Sequence, residues 1–133
     1  MGGVSGSIIN IASILGVRQE GQVTPYAISK DGVIRLTKQL ALELSRFDIR
    51  GNALAPGYFA TELNEAFFSS AAGAALISRI LQRRLGALED LDGSLLLLAS
   101  DASRYMTGAV SAVDGDTPYR STRRARAQAS AFE

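Results

Sequence analysis

The sequence contains neither cysteine nor histidine in its 133 residues. The absence of cysteine excludes disulfides and thiolate metal sites. The absence of histidine removes the commonest metal ligand and the usual base of a serine nucleophile. We therefore expect no metal site and no hydrolase triad in this chain.

Long apolar runs and a secretory signal are also missing from the sequence. No apolar stretch approaches the ~20 residues that a membrane-spanning helix requires, and the first residues lack a basic start followed by an apolar core. A chain of this length with 47% hydrophobic residues is typical of one ordinary folded domain. These features predict a cytoplasmic protein that does not enter a membrane.

Short apolar segments alternate with longer helical patterns along the chain. The strand candidates are residues 7–13, 50–55 and 109–114, and the helical candidates are residues 25–47, 61–85 and 88–100. Connections of this length are too long for hairpins and favour parallel strands joined by crossover helices. The pattern predicts an α/β fold, a partial doubly wound (Rossmann-like) parallel sheet of about three strands with flanking helices.

A phenol and an ammonium stand four residues apart at the start of the longest helical pattern. Thr24 is a candidate N-cap and Pro25 suits the first helical turn, which places Tyr26 at the lip of the helix. Because positions i and i+4 share a helix face, Tyr26 and Lys30 can act on one ligand. A cation beside a phenol favours the ionised form, so the pair suits proton transfer. Taken alone, the spacing also fits an exposed tyrosine and a solvated lysine.

Ser13 ends the first strand candidate, thirteen positions before Tyr26. Ligand sites in open α/β sheets lie outside the carboxyl ends of the strands, so the two side chains can converge there. In order and spacing, residues 6–16, 26–30 and 52–61 resemble the short-chain dehydrogenase/reductase family. The segments Asn-Ile-Ala-Ser and Ala-Pro-Gly-Tyr-Phe-Ala-Thr-Glu-Leu-Asn look most like the sugar-acid dehydrogenases of the gluconate type.

The resemblance implies an NAD(P)-dependent oxidoreductase that interconverts an alcohol and a carbonyl by hydride transfer. In such an enzyme the phenol of Tyr26 would give or take the proton of the reacting oxygen. Ser13 would hydrogen-bond that oxygen, and Lys30 would bind the ribose hydroxyls while supporting Tyr26. A small-molecule alcohol or carbonyl compound is the implied substrate.

The resemblance also assigns a cofactor-binding loop to the end of the second strand. Together with Tyr26 and Lys30, the residues that would bind the cofactor are Pro56, Gly57, Phe59 and Thr61. They would surround the nicotinamide of NAD or NADP, and both cofactors remain open. From the residues alone, the loop is either an irregular ligand-facing segment or a plain strand-to-helix turn.

Residues 61–85 resemble the segment that forms a substrate lid in relatives. Its candidate apolar pocket wall consists of Phe67, Phe68, Leu76 and Ile80.

The next helical pattern carries Leu95 to Leu98, a run that predicts burial in the core or in a subunit interface. In the long helix, Ile28 and Leu42 line up on one side, which indicates either a homo-oligomer contact or ordinary scattered surface apolarity.

Two glycines carry packing expectations. Gly32 in the long helix is expected to allow a neighbour to approach closely. Gly51 takes a strand position where relatives usually carry a branched apolar residue, which predicts poorer packing of the second strand.

A nucleotide-binding half should begin with a strand, a glycine-rich turn and a helix that meets the pyrophosphate. Nothing before Ser7 has this pattern. Residues 1–116 therefore look like the carboxyl-terminal half of a reductase domain, which we expect to be inactive alone. The alternative function is a noncatalytic interaction module that pairs with complete subunits, and cofactor binding would separate the two.

The last residues, 117–133, contain four arginines and one glutamate, a net charge of +3. A segment with so little apolar surface predicts a disordered basic tail. Because it lacks aromatic interleaving and a folded platform, we do not expect it to bind nucleic acid.

Overall fold

The computed structural model describes residues 5–117, which form a three-stranded parallel sheet with helices around it. The strands are β1 (Gly6–Ile11), β2 (Ile49–Pro56) and β3 (Val110–Val113), in the spatial order β1-β2-β3. The α-helices are α1 (Thr24–Leu44), α2 (Glu65–Phe68), α3 (Ala71–Ile77) and α4 (Asp92–Ala99). Short 3-10 helices occupy Ile14–Gly16, Ser45–Phe47, Leu88–Leu91 and Asp101–Ser103. The expected partial doubly wound sheet is confirmed.

Strand β2 is the central strand and the most deeply buried one. It pairs with β1 along one edge and with β3 along the other, both in parallel. A strand covered on both faces needs a continuous apolar run rather than alternation. Ala53, Leu54 and Ala55 supply that run and are at most 1% exposed. Strand β1 pairs only with β2 within the described residues, and most of it is half-buried.

Helix α1 packs on the sheet through a narrow stripe. Its buried residues are Ile34, Thr37 and Ala41, spaced three or four apart as one helix face requires. The hydroxyl of Thr37 accepts a hydrogen bond from Asn10 Nδ2 at 3.0 Å and donates to the carbonyl oxygen of Val33 at 2.8 Å. These bonds join α1 to β1, and they satisfy a polar side chain that is fully buried.

Gly51 lies beside α1, and the expected loss of packing at this position stays a prediction. A Cβ at Gly51 would lie 3.4 Å from the backbone nitrogen of Ala41 and 3.5 Å from the carbonyl oxygen of Thr37. A Cβ at Gly51 would therefore be in ordinary van der Waals contact with α1. Gly32 was expected to allow a neighbour to approach closely. Among the described residues, no atom of another element lies within 4 Å of a Cβ added there.

The helical pattern of residues 61–85 forms two short helices instead of one. The break falls at Ser70, whose hydroxyl accepts from the backbone nitrogen of Gly73 at 3.2 Å and caps α3. Serine favours such caps over helix interiors because its side chain competes for backbone hydrogen bonds. A Cβ at Gly73 would lie 2.3 Å from the carbonyl oxygen of Phe67, so α3 packs directly on the end of α2.

Several large apolar side chains stay exposed on the helices. In α4 only Leu98 is fully buried, whereas Leu95, Leu96 and Leu97 are 41%, 67% and 41% exposed. Burial in the core is therefore wrong for these three, and the interface alternative stays a prediction. In α1, Ile28 and Leu42 are exposed, as their spacing predicted. Across residues 5–117, none of the helices has the length and apolar character that crossing a membrane would need.

Residue Thr117, the first of the predicted tail, is bound to the turn after β3: its hydroxyl donates to the carbonyl oxygen of Asp114 at 2.9 Å. Residues 118–133 lie outside the described part of the chain. The disordered basic tail therefore stays a prediction.

Candidate active site

The ammonium of Lys30 reaches the carboxyl end of β1. Its Nζ donates to the carbonyl oxygen of Ile11, the last residue of that strand, at 3.2 Å. The same nitrogen lies 5.6 Å from the centroid of the Tyr26 ring. The four-residue spacing on α1 thus brings a phenol and a cation together at the edge of the sheet where α/β proteins bind ligands.

Tyr26 lies in the first turn of α1 and is 48% exposed. The helix begins at Thr24, so Thr24 is not the N-cap; Val23 takes that position without a side-chain hydrogen bond. Pro25 lies in the first turn, where its missing N–H costs nothing. A half-exposed ring at a helix start leaves its hydroxyl accessible to a small molecule.

Ser13 follows the last residue of β1 by two positions and is 6% exposed. It caps the 3-10 helix that follows, because its Oγ accepts from the backbone nitrogen of Leu15 at 3.2 Å. A hydroxyl that accepts one hydrogen bond still has its O–H to donate. Ser13 therefore presents a donor at the strand end that Lys30 also reaches.

Gly16 holds the loop after β1 against α1. A Cβ at this position would lie 2.7 Å from the carbonyl carbon of Lys30 and 2.8 Å from its oxygen. Such contacts do not occur between real atoms, so a side chain here would push the loop away from the helix. The segment that carries Ser13 and the helix that carries Lys30 are consequently in direct contact.

The loop after β2 begins at Gly57, directly after Pro56. Pro56 is the last residue of the strand, and the backbone nitrogen of Gly57 donates to the carbonyl oxygen of Val113 at 2.8 Å. A Cβ at Gly57 would lie 2.6 Å from Cβ of Asp114. Glycine is therefore required where the loops after β2 and β3 meet.

Phe59 and Thr61 have different environments in the same loop. Phe59 is 9% exposed and packs its ring on Gly86, where a Cβ would lie 2.4 Å from the ring. Thr61 is exposed. Asn64 organises both: its Nδ2 donates to the carbonyl oxygen of Phe59 at 2.8 Å, and its Oδ1 accepts from the backbone nitrogen of Thr61 at 2.9 Å.

A cleft of about 460 Å³ opens beside this loop, and Thr61, Phe68, Ile77 and Leu85 contribute to its lining. Of the four apolar wall residues expected from the sequence, Phe68 lines the cleft. Ile80 is instead 1% exposed and packs beneath Gly115. The lid region thus offers an apolar surface next to the loop, with partly different residues from those expected.

Several residues at this edge of the sheet were not identified from the sequence. Arg18 and Asp114 form a salt bridge of 2.8 Å between Nη1 and Oδ2. Burial raises the pKa of Tyr58, and the carboxylate of Glu20 raises it further against the opposing effect of Arg79. These pairs join segments that are far apart in the chain, so no local sequence pattern predicts them. Asn64 had only the weak signal of a turn-forming residue.

Residues 1–115 match the family model described as Enoyl-(Acyl carrier protein) reductase. The chain is 44% identical over 111 residues to the 3-oxoacyl-(acyl-carrier-protein) reductase of Thermotoga maritima. It is 40% identical over 114 residues to the 2-dehydro-3-deoxy-D-gluconate 5-dehydrogenase of Escherichia coli. These alignments cover 84% and 85% of this chain and 45% of each relative, so the chain spans less than half the length of these curated relatives.

Solved structures of other proteins have the same fold as this chain. A gluconate 5-dehydrogenase from Burkholderia cenocepacia, in complex with NADP and tartrate, superimposes with a TM-score of 0.79 at 40% sequence identity. The superposition covers 84% of this chain and 44% of that one.

Proposed function

The chain belongs to the short-chain dehydrogenase/reductase family, and we propose that it carries the proton-transfer residues of an NAD(P)-dependent oxidoreductase that interconverts an alcohol and a carbonyl. The main support is the position of Lys30 Nζ, 3.2 Å from the last carbonyl of β1 and 5.6 Å from the ring centroid of Tyr26. A phenol and a cation at a ligand-binding strand end, with the Ser13 hydroxyl two residues beyond, form a complete set for moving one proton.

In the reducing direction, Tyr26 gives its hydroxyl proton to the carbonyl oxygen, and in the oxidising direction it takes the proton of the alcohol. Ser13 donates a hydrogen bond to the same oxygen and orients it. The ammonium of Lys30 lies 5.6 Å from the centroid of the Tyr26 ring and so places a positive charge beside the phenol that transfers the proton. General acid–base assistance of this kind is worth roughly 10²–10⁴-fold in rate.

The donors at this strand end also fit the nicotinamide riboside end of a cofactor. An ammonium has three donors, and Lys30 uses one of them for Ile11, which leaves two for ribose hydroxyls. Gly57 and Thr61 would contribute the loop that faces the nicotinamide. When bound, the nicotinamide would supply or accept the hydride. The substrate class we propose is a small alcohol or carbonyl compound, and the gluconate-type relatives favour a polyhydroxylated acid.

The test uses a chimera in which residues 6–115 of this chain replace the matched segment of the Escherichia coli 2-dehydro-3-deoxy-D-gluconate 5-dehydrogenase. Tyr26→Phe should lower kcat by roughly 10²–10⁴-fold, because only the proton-transferring oxygen is lost. The Kd for the cofactor, measured by its fluorescence, should stay unchanged. Tyr105→Phe is the matched control, since Tyr105 is fully exposed.

Lys30→Ala should weaken both turnover and cofactor affinity, because the ammonium serves the phenol and the ribose. Lys38→Ala, an exposed lysine on the same helix, should change neither. If Tyr26→Phe retained most of the rate, another group would have to supply the proton and the proposed role of Tyr26 would be wrong. A folded chimera that binds no cofactor would favour the noncatalytic alternative.

A further inference from the structure

Arg18 joins two loops at the carboxyl edge of the sheet. It belongs to residues 14–23, the site loop, which connects β1 to α1. Its Nη1 lies 2.8 Å from Oδ2 of Asp114, and its Nη2 lies 3.6 Å from Oδ1 of Asp116. Nη1 also donates to the carbonyl oxygen of Thr117. The planar, forked guanidinium suits several acceptors at once, which an ammonium does less well.

The partners of Arg18 form a well-organised turn, residues 114–117, which we name the β3 turn. The carboxylate of Asp114 accepts from the backbone nitrogens of Asp116 at 3.0 Å and Thr117 at 3.4 Å. The Asp114 side chain is only 8% exposed. Arg18 therefore binds a turn whose shape is already determined by its own hydrogen bonds.

The β3 turn also holds the base of the lid region, which we define as Ile80, Leu81 and Gln82. The backbone nitrogen of Leu81 donates to the carbonyl oxygen of Asp116 at 3.1 Å, and that of Gln82 donates to Gly115 at 3.2 Å. Gly115 has φ +61, and a Cβ there would lie 2.9 Å from Cγ2 of Ile80. The lid base and the β3 turn are thus packed and hydrogen-bonded together.

The site loop has few other fixed points. Its first part is held by the 3-10 turn and by the packing of Gly16 on Lys30. Residues 19–22 make no hydrogen bond to another element among residues 5–117. Among residues 5–117, Arg18 is consequently the last residue of this loop whose side chain hydrogen-bonds to another segment before α1 begins.

We propose that Arg18 is a positioning residue, which clamps the site loop to the β3 turn and, through that turn, to the lid base. The wall beside Ser13 and the base of the lid then shift together when a substrate enters. The proposal rests on the proposed function for the presence of that substrate, whereas the clamp is a property of the chain itself.

Amide hydrogen exchange of the 133-residue chain, followed by mass spectrometry, tests the clamp without any turnover. Arg18→Met removes the charge and the forked donors while keeping the length of the side chain. Exchange should become about 5- to 30-fold faster both at the hydrogen-bonded amides of residues 16–18 in the site loop and at the lid base. Arg18→Lys, which keeps the charge, should restore part of the protection in both segments. Arg104→Met, at an exposed arginine in the connection to β3, is the matched control and should change neither segment.

Faster exchange in the site loop with unchanged exchange at the lid base would overturn the proposal, because Arg18 would then hold only its own loop. The same acceleration in Arg104→Met would also overturn it. If Arg18→Met does not fold, Asp116→Asn removes the more exposed partner and should speed exchange in both segments by up to about fivefold. An effect of Asp116→Asn on one segment alone would again contradict the clamp. Because these results need no catalysis, they stand apart from the outcome of the Tyr26 experiment.

Discussion

Gly57 is the position where the smallest substitution should have the clearest effect on the edge of the sheet. In Gly57→Ala, the new methyl carbon would lie 2.6 Å from Cβ of Asp114 and 2.7 Å from its Cα. Carbon atoms attract one another best at about 3.5–4.0 Å, so both contacts are strongly repulsive. Asp114 cannot swing aside, because the contacts involve its backbone and first side-chain carbon.

Relief of this clash requires the loops after β2 and β3 to separate. Overpacking of this kind costs about 1–3 kcal/mol. The loss of glycine's freedom in the unfolded chain offsets roughly 0.5–1 kcal/mol of that cost. We therefore expect Gly57→Ala to lower the free energy of unfolding by up to about 2.5 kcal/mol, with about 1.3 kcal/mol as the middle of the range.

Urea unfolding followed by far-UV circular dichroism measures this difference. Gly32→Ala is the matched control, since no described atom lies within 4 Å of the added carbon and the position is inside α1. It should raise the free energy of unfolding by up to about 1 kcal/mol, the helix preference of alanine over glycine. A Gly57→Ala chain that is more stable than the parent chain would refute the argument, because the repulsive contacts would then cost less than the gain from restricting the unfolded chain.

Because burial and Glu20 raise the pKa of Tyr58, its contribution to stability is complete below the unfolded value of about 10 and is lost as the pH rises through the folded value. The denaturation midpoint should therefore fall more steeply in alkali for the parent chain than for Tyr58→Phe, and equal slopes would contradict this. The chain should also self-associate, since Leu42 is 76% exposed on α1 and β1 is paired along one edge alone among residues 5–117. Light scattering should show a smaller mass for Leu42→Lys but not for Leu63→Lys at the 99% exposed Leu63, and a monodisperse monomeric parent would argue against it.

The strands were predictable because their signals are local. The expected strands at residues 7–13, 50–55 and 109–114 correspond to β1, β2 and β3 with ends displaced by at most two residues. Short segments rich in apolar residues and followed by small residues or glycine suffice to place these parallel strands. The lid region was less predictable, since one serine cap at Ser70 outweighs the helix preference of the alanines around it.

The cluster at the end of β1 also follows from local spacing, because the i, i+4 geometry of a helix brings Lys30 to Tyr26 without help from the rest of the fold. Other features required contacts between distant segments. The Arg18–Asp114 salt bridge and the shift in the pKa of Tyr58 depend on how the loops meet at the sheet edge. No pattern within a single segment carries that information.

The sequence by itself determined the parallel sheet, the family and the positions of Ser13, Tyr26 and Lys30, because periodicity and short motifs act within one element or between neighbouring ones. Only the tertiary structure decided which glycines are required and which charges pair. Gly57 looks like Gly32 in sequence, yet a Cβ at Gly57 would lie 2.6 Å from Asp114, whereas no atom of another described element lies within 4 Å of a Cβ at Gly32. Whether a residue is constrained depends on the atoms that packing brings within about 4 Å of it, and those atoms come from other parts of the chain.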